Sequence, residues 1–87
     1  MSENINVALQ DFVKPIVELK PNSKIARSYE QRSIEAIQKY LLEFGQQKPI
    51  VILRDGTVIA GNSTLQAAIN LGWKHLACVT FDEVKVK

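Results

Sequence analysis

Apolar residues recur along this chain at two spacings, and each spacing predicts its own kind of element. Ile34, Ile37, Leu41 and Phe44 fall three or four residues apart, the period of a helix that buries one face. Ser28-Tyr29-Glu30-Gln31 has the spacing of a capping box before that stripe, and Gly45 supplies a stop after it, so the helix runs for about four turns. Leu65, Ala68, Ile69 and Leu71 mark a second helix, with Ser63 and Gln66 as another capping pair and Gly72 at its end. The continuous run Ile50-Val51-Ile52-Leu53 predicts a buried strand, and residues 58–60 its return. Arg54-Asp55-Gly56-Thr57 joins them as a tight hairpin turn, because Asp-Gly tolerates positive φ. Branched residues over 13–19 predict a first strand, with Pro15 near its start or on an edge, ended by the turn cluster Lys20-Pro21-Asn22-Ser23. Residues 75–81 predict a last strand. The order is that of an α+β domain, a small mixed β-sheet with a central hairpin and two main helices. Residues 1–12 read as a flexible arm ahead of a domain over 13–87.

Composition narrows the picture modestly. A chain of 87 residues makes one domain, and 46% hydrophobic with 23% charged residues is the balance of an ordered globular protein. The net charge of +2 is too slight to argue for a nucleic-acid surface. Cys78 is the sole cysteine, which excludes an internal disulfide, and no cluster with metal-ligand spacing is present, so no metal is predicted. The opening lacks a basic start followed by an apolar run, and no segment has the length of a membrane span. A cytoplasmic location is the expectation. The chain stops soon after its last strand, which suggests a domain of a longer protein.

The most informative stretch chemically is Thr57 through Gly72, where an apolar strand runs through Gly61 into a helix opening Asn62-Ser63-Thr64-Leu65. A glycine turn followed by exposed first-turn amides and the positive end of a helix dipole is the geometry of an anion pocket. Asn62 or Ser63 acting only as a helix cap is the commoner use of such residues. Elsewhere the signals are structural. His75 has no carboxylate or hydroxyl partner at telling spacing. Cys78 lies within an apolar strand as a buried thiol, and Asp82 and Glu83, adjacent on a strand, point to opposite faces. Asp55 is explained by the turn, and Trp73 reads as a packing residue.

Taken together, these pieces resemble the ParB-like N-terminal domain, a fold shared by partition proteins, the N-terminal parts of some phage and plasmid DNA methylases, and sulfiredoxin. The resemblance runs from about residue 13 to residue 82. It rests on Leu19-Lys20-Pro21-Asn22, Ala26-Arg27, Leu42-Glu43-Phe44-Gly45, Lys48-Pro49-Ile50-Val51 and, above all, Asp55-Gly56-Thr57-Val58-Ile59-Ala60-Gly61, followed by Ala67-Ala68 and Leu71-Gly72-Trp73. In that family the turn at Gly61 is a phosphate-binding loop, which partition proteins use for CTP and sulfiredoxin, as Gly-Cys-His-Arg, uses with ATP. The resemblance implies a nucleotide or anion site made of Arg27, Gly61, Asn62, Ser63, Thr64 and Leu65, with Lys24 a weaker candidate cation. Arg27 either reaches that pocket or is a solvated surface residue.

The chain also departs from the pattern. Asn62 stands where sulfiredoxin has its reactive cysteine and partition proteins a glutamate, and a carboxamide cannot act as a thiolate nucleophile. Ser63 and Thr64 replace basic residues, so the bidentate grip of a guanidinium is lost. The resemblance therefore implies a non-catalytic module that binds CTP, ATP or another anion in a phage- or plasmid-type DNA transaction protein. DNA contact would come through regions outside this chain, and a homodimer or protein partner is compatible with the same reading. The alternatives are an assembly module with a vestigial pocket and, last, a nuclease or phosphotransfer enzyme.

Overall fold

The computed structural model describes residues 4–21 and 31–81. Two helices pack on each other and on one face of a four-stranded sheet. Helix α1 is Gln31–Phe44 and helix α2 is Asn62–Asn70. The strands are β1 Val13–Pro15, β2 Ile50–Ile52, β3 Val58–Ala60 and β4 His75–Thr80. Their order across the sheet is β1-β4-β2-β3, with β4 antiparallel to β1 and parallel to β2, and β2 antiparallel to β3. The mixed α+β architecture read from the sequence is thus present, with the hairpin strand β2 inside the sheet and β3 at its edge. No helix among the described residues is long and apolar enough to cross a membrane.

Ile34 and Leu41 of α1 are buried and Ile37 is half-buried, as the helical spacing predicts. Phe44 departs from that stripe. It is 58% exposed and sits on the outer flank, its ring 5.6 Å from that of Tyr40 one turn earlier. In α2 the buried residues are Asn62, Leu65, Ala67 and Ala68, while Ile69 turns outward. Two alanines without exposed surface let α2 approach the rest of the core closely, a contact a bulkier side chain would hold off. Beneath them lie Ile50, Ile52, Val58 and Leu76 from the sheet. The capping box expected at residues 28–31 falls largely outside the described residues.

The first strand is shorter than its branched residues predict. Pro15 is tolerated on this edge strand, the Ile16 N–H still donates across to the Lys74 carbonyl at 2.8 Å, and Ile16–Glu18 then coil into a 3-10 turn closed by the Leu19 N–H on the Ile16 carbonyl at 2.9 Å. The chain then reaches the opposite edge. The Lys20 N–H donates to the Gly56 carbonyl at 2.8 Å, and the Val58 N–H donates to the Lys20 carbonyl at 2.9 Å. Leu19 is thereby buried.

The hairpin also differs in detail from the tight two-residue turn. Only Gly56 has positive φ, at +95°, and the Gly56 N–H donates to the Leu53 carbonyl at 2.9 Å. This is a type I turn followed by a left-handed glycine, the three-residue solution. The Asp55 carboxylate accepts from the Thr57 N–H at 2.9 Å, and that bond holds its carboxyl below the ordinary range.

One buried polar side chain sets where the parallel pair begins. The β2–β4 register starts at Ile50 opposite Cys78, so the residue facing Ala77 is Pro49, which has no N–H to donate. Gln46, 1% exposed, fills that role with its amide. Its Oε1 accepts from the Ala77 N–H at 2.8 Å, and its Nε2 donates to the Ala77 and Lys48 carbonyls, both at 3.0 Å. Its backbone pairs with Asn4 and Asn6, the Gln46 N–H donating at 2.7 Å and the Asn6 N–H returning at 3.0 Å. Gln46→Leu orphans both polar groups of Ala77 and is expected to cost about 2–4 kcal/mol, since each buried unsatisfied group costs roughly 1–3 kcal/mol. Urea denaturation measures this. A loss below about 0.5 kcal/mol, the scatter of surface substitutions, would show that the fork does not matter.

Candidate functional site

The candidate site grows from the junction of β3 and α2. Gly61 is the N-cap residue of α2 with φ +100° and ψ 22°, a left-handed conformation that side-chain-bearing residues rarely adopt. A second constraint acts on the same atom. A Cβ built on Gly61 would overlap Cγ2 of Ile50 and stand 2.8 Å from its Cβ. The turn is therefore pressed directly against β2, and only a residue without a side chain allows both the dihedral and the approach. The Gly61 carbonyl accepts the first helical bond, from the Leu65 N–H at 2.9 Å.

The helix consequently begins one residue earlier than the cap reading places it. Neither Asn62 nor Ser63 is the N-cap, and the Ser63–Gln66 capping pair does not form. Ser63 already lies within the helix, and Gln66 Nε2 donates instead to Asn70 Oδ1 at 2.9 Å. Asn62 is 3% exposed, and its Nδ2 donates back to the Val58 carbonyl at 2.9 Å, bracing the helix start against β3. Leu65 places its side chain in the core. Ser63 and Thr64 are half-buried at the first turn. The N-cap glycine has no side chain to accept from the first-turn amides. Of the residues predicted for the site, the structure thus brings Gly61 to Leu65 into one turn, turns Asn62 and Leu65 inward and leaves Ser63 and Thr64 at the rim. Arg27 and Lys24 lie outside the described residues, as do Asp82 and Glu83.

Residues that sequence reasoning did not single out border this turn. A groove of about 170 Å³ runs between α1 and α2, lined by Tyr40, Leu41, Gln46, Gln47, Lys48 and Thr64. The signals were local, a Tyr/Phe pair four apart on a helix and a lysine just after the helix-ending glycine, but nothing in the sequence says that these meet Thr64. A larger depression of about 410 Å³ lies away from the turn, at β1 and β4, between Phe12, Lys14 and Thr80.

The remaining candidates are structural. Cys78 is 2% exposed, with its Sγ–H donating to the Leu76 carbonyl at 3.5 Å, and burial pushes its thiol up to about 11. It stays protonated near neutral pH and is a poor nucleophile. Trp73 packs against the core as expected, and Asp55 is held in the hairpin turn. His75 stands exposed at the start of β4. Among the described residues, no group of three or more His, Cys, Asp or Glu is placed to hold a metal ion.

Solved structures share this arrangement. Sulfiredoxin from Arabidopsis thaliana superposes with a TM-score of 0.70 at 20% identity, over 80% of this chain and 84% of that one. The chain has a ParB/sulfiredoxin-like fold. A Pnob8-like ParB-N domain superposes with a TM-score of 0.64 at 26% identity, over 84% of this chain and 30% of that one. The C-terminally truncated chromosome-partitioning protein ParB from Caulobacter crescentus, complexed with CTP-gamma-S, superposes with a TM-score of 0.67 at 21% identity, over 83% of this chain and 45% of that one. This chain thus spans most of the sulfiredoxin but less than half of either ParB protein. No protein-family model and no curated protein matches the sequence.

Gly61→Ala tests the turn. Left-handed strain costs about 1–3 kcal/mol, and the overlap with Ile50 adds to it. The expected loss is about 2–4 kcal/mol by urea denaturation, on those strain and overpacking scales. The double variant Gly61→Ala, Ile50→Ala should lose less than the sum of the two singles, because the second change removes the clashing methyl. Strict additivity would contradict the contact.

Proposed function

We propose that this chain is a non-catalytic ParB-like module that binds a nucleotide, CTP or ATP, or a related anion at Gly61 to Leu65, with Arg27 assisting. The module serves a DNA transaction protein of phage or plasmid type, in partition, methylation or regulation. DNA is reached through regions outside this chain, and a homodimer is the simplest partner arrangement. One observation carries the reading. The first turn of α2 is capped by a glycine without a side chain and carries the half-buried Ser63 and Thr64 at its rim, in a fold shared with a ParB protein whose structure holds CTP-gamma-S. An anion at such a turn meets backbone N–H groups and the positive end of the helix dipole.

The non-catalytic part rests on Asn62 and Cys78. The amide at the head of the helix is bonded to the Val58 carbonyl and has no nucleophilic electron pair to offer, and the one thiol is buried and protonated. Hydroxyls in place of guanidinium forks favour a second reading, an assembly module whose pocket is vestigial. That reading predicts DNA or protein binding indifferent to Arg27→Ala and Ser63→Val.

Calorimetric titration and thermal denaturation with CTP, ATP and their diphosphates separate the two. At a ligand concentration a hundred times its dissociation constant, binding stabilises the fold by about 2.7 kcal/mol. For a domain of this size that raises the melting temperature by about 10–20 °C. No heat and no shift with any of the four would sink the nucleotide reading and leave the assembly module.

A further inference from the structure

The groove beside Thr64 deepens that reading, and the inference drawn from it rests on the nucleotide or anion site proposed above. Six residues line it, and none of them is acidic. Two of its polar side chains are committed within the protein. The Gln46 amide holds Ala77 and Lys48, and Gln47 accepts from Asn6 Nδ2 at 2.8 Å and donates to the Phe44 carbonyl. Among the described residues, the Tyr40 phenol, the Lys48 ammonium and the Thr64 hydroxyl make no hydrogen bond or ion pair. The groove is thus bordered by three residues with uncommitted polar ends, one of them cationic.

We propose that Lys48 is a phosphate-facing cation of the site, gripping the phosphate tail of the ligand together with the Thr64 hydroxyl and the Tyr40 phenol in the groove between α1 and α2. Its position is fixed from both sides. The Lys48 carbonyl is held by Gln46 Nε2 at 3.0 Å, and the ring of Pro49 restricts the backbone of Lys48 just before it to extended conformations. The stem thus leaves a rigid anchor while the ammonium remains exposed. The groove of about 170 Å³ has room for several waters, and so for the oxygens of a phosphate tail. Lysine grips phosphate as a point charge without the two-pronged geometry of arginine, so the contact is tolerant of phosphate number and sensitive to salt.

The test compares wild type, Lys48→Gln and Lys48→Arg by calorimetry with CTP, ATP, inorganic tripolyphosphate and uncharged cytidine at two salt concentrations. Lys48→Gln should weaken CTP, ATP and tripolyphosphate alike by tenfold or more, leave any binding of cytidine unchanged and flatten the salt dependence. Lys48→Arg should restore most of the affinity. Because Lys48 is exposed, ligand-free melting temperatures should agree among the three, which separates a lost contact from a lost fold. Wild-type binding that Lys48→Gln changes by less than twofold would overturn the role of Lys48 while the nucleotide site stands. A wild type that binds none of the phosphates would overturn both.

Discussion

The contact between Ile50 and the bare Cα of Gly61 is the constraint on which the rest of the site depends. It sets the close approach of β2 to the head of α2 and, with the left-handed turn at the same residue, admits only a glycine there, so the helix starts without a capping side chain. Once that turn is set, the Asn62 amide falls within reach of the Val58 carbonyl, Leu65 drops into the core, and Ser63 and Thr64 are left at the rim. A larger residue at position 61 would push the helix away from the sheet and undo all four placements together.

Gln46 plays the complementary part on the other side of β2. Parallel pairing of β2 with β4 cannot continue back through Pro49, and the glutamine amide completes the edge with a donor and an acceptor of its own. Nearly all buried polar groups in folded proteins are paired, and here one side chain pairs two backbone groups of a central strand. The same bond network holds the carbonyl of Lys48, so the segment that completes the sheet also presents a cation beside Thr64. Fold and candidate chemistry are linked through five consecutive residues.

The elements were legible because their signals are local. The stripe through Ile34, Ile37 and Leu41, the apolar run of β2, the Asp-Gly turn and the branched residues of β4 each contain their own instruction. What escaped depends on distant partners. The first strand is cut short as the chain coils at Ile16 and crosses to Gly56 and Val58 on the far edge, and Phe44 falls on the apolar period yet stands exposed, neither of which periodicity encodes. The Ser63–Gln66 spacing satisfies a capping rule, yet packing against Ile50 moves the helix start to Gly61. For the site, the glycine turn was readable and the groove with Lys48 and Tyr40 was not, because it is assembled from segments that meet only in the folded chain.

Whether the first turn of α2 receives an anion is tested residue by residue by two-dimensional NMR of the isotopically labelled chain during a CTP titration. Saturable shifts centred on the backbone amides of residues 61–65, with a second cluster at residues 47–48, are the predicted result. An unchanged spectrum, or shifts confined to the β1–β4 depression around Lys14 and Thr80, would contradict it.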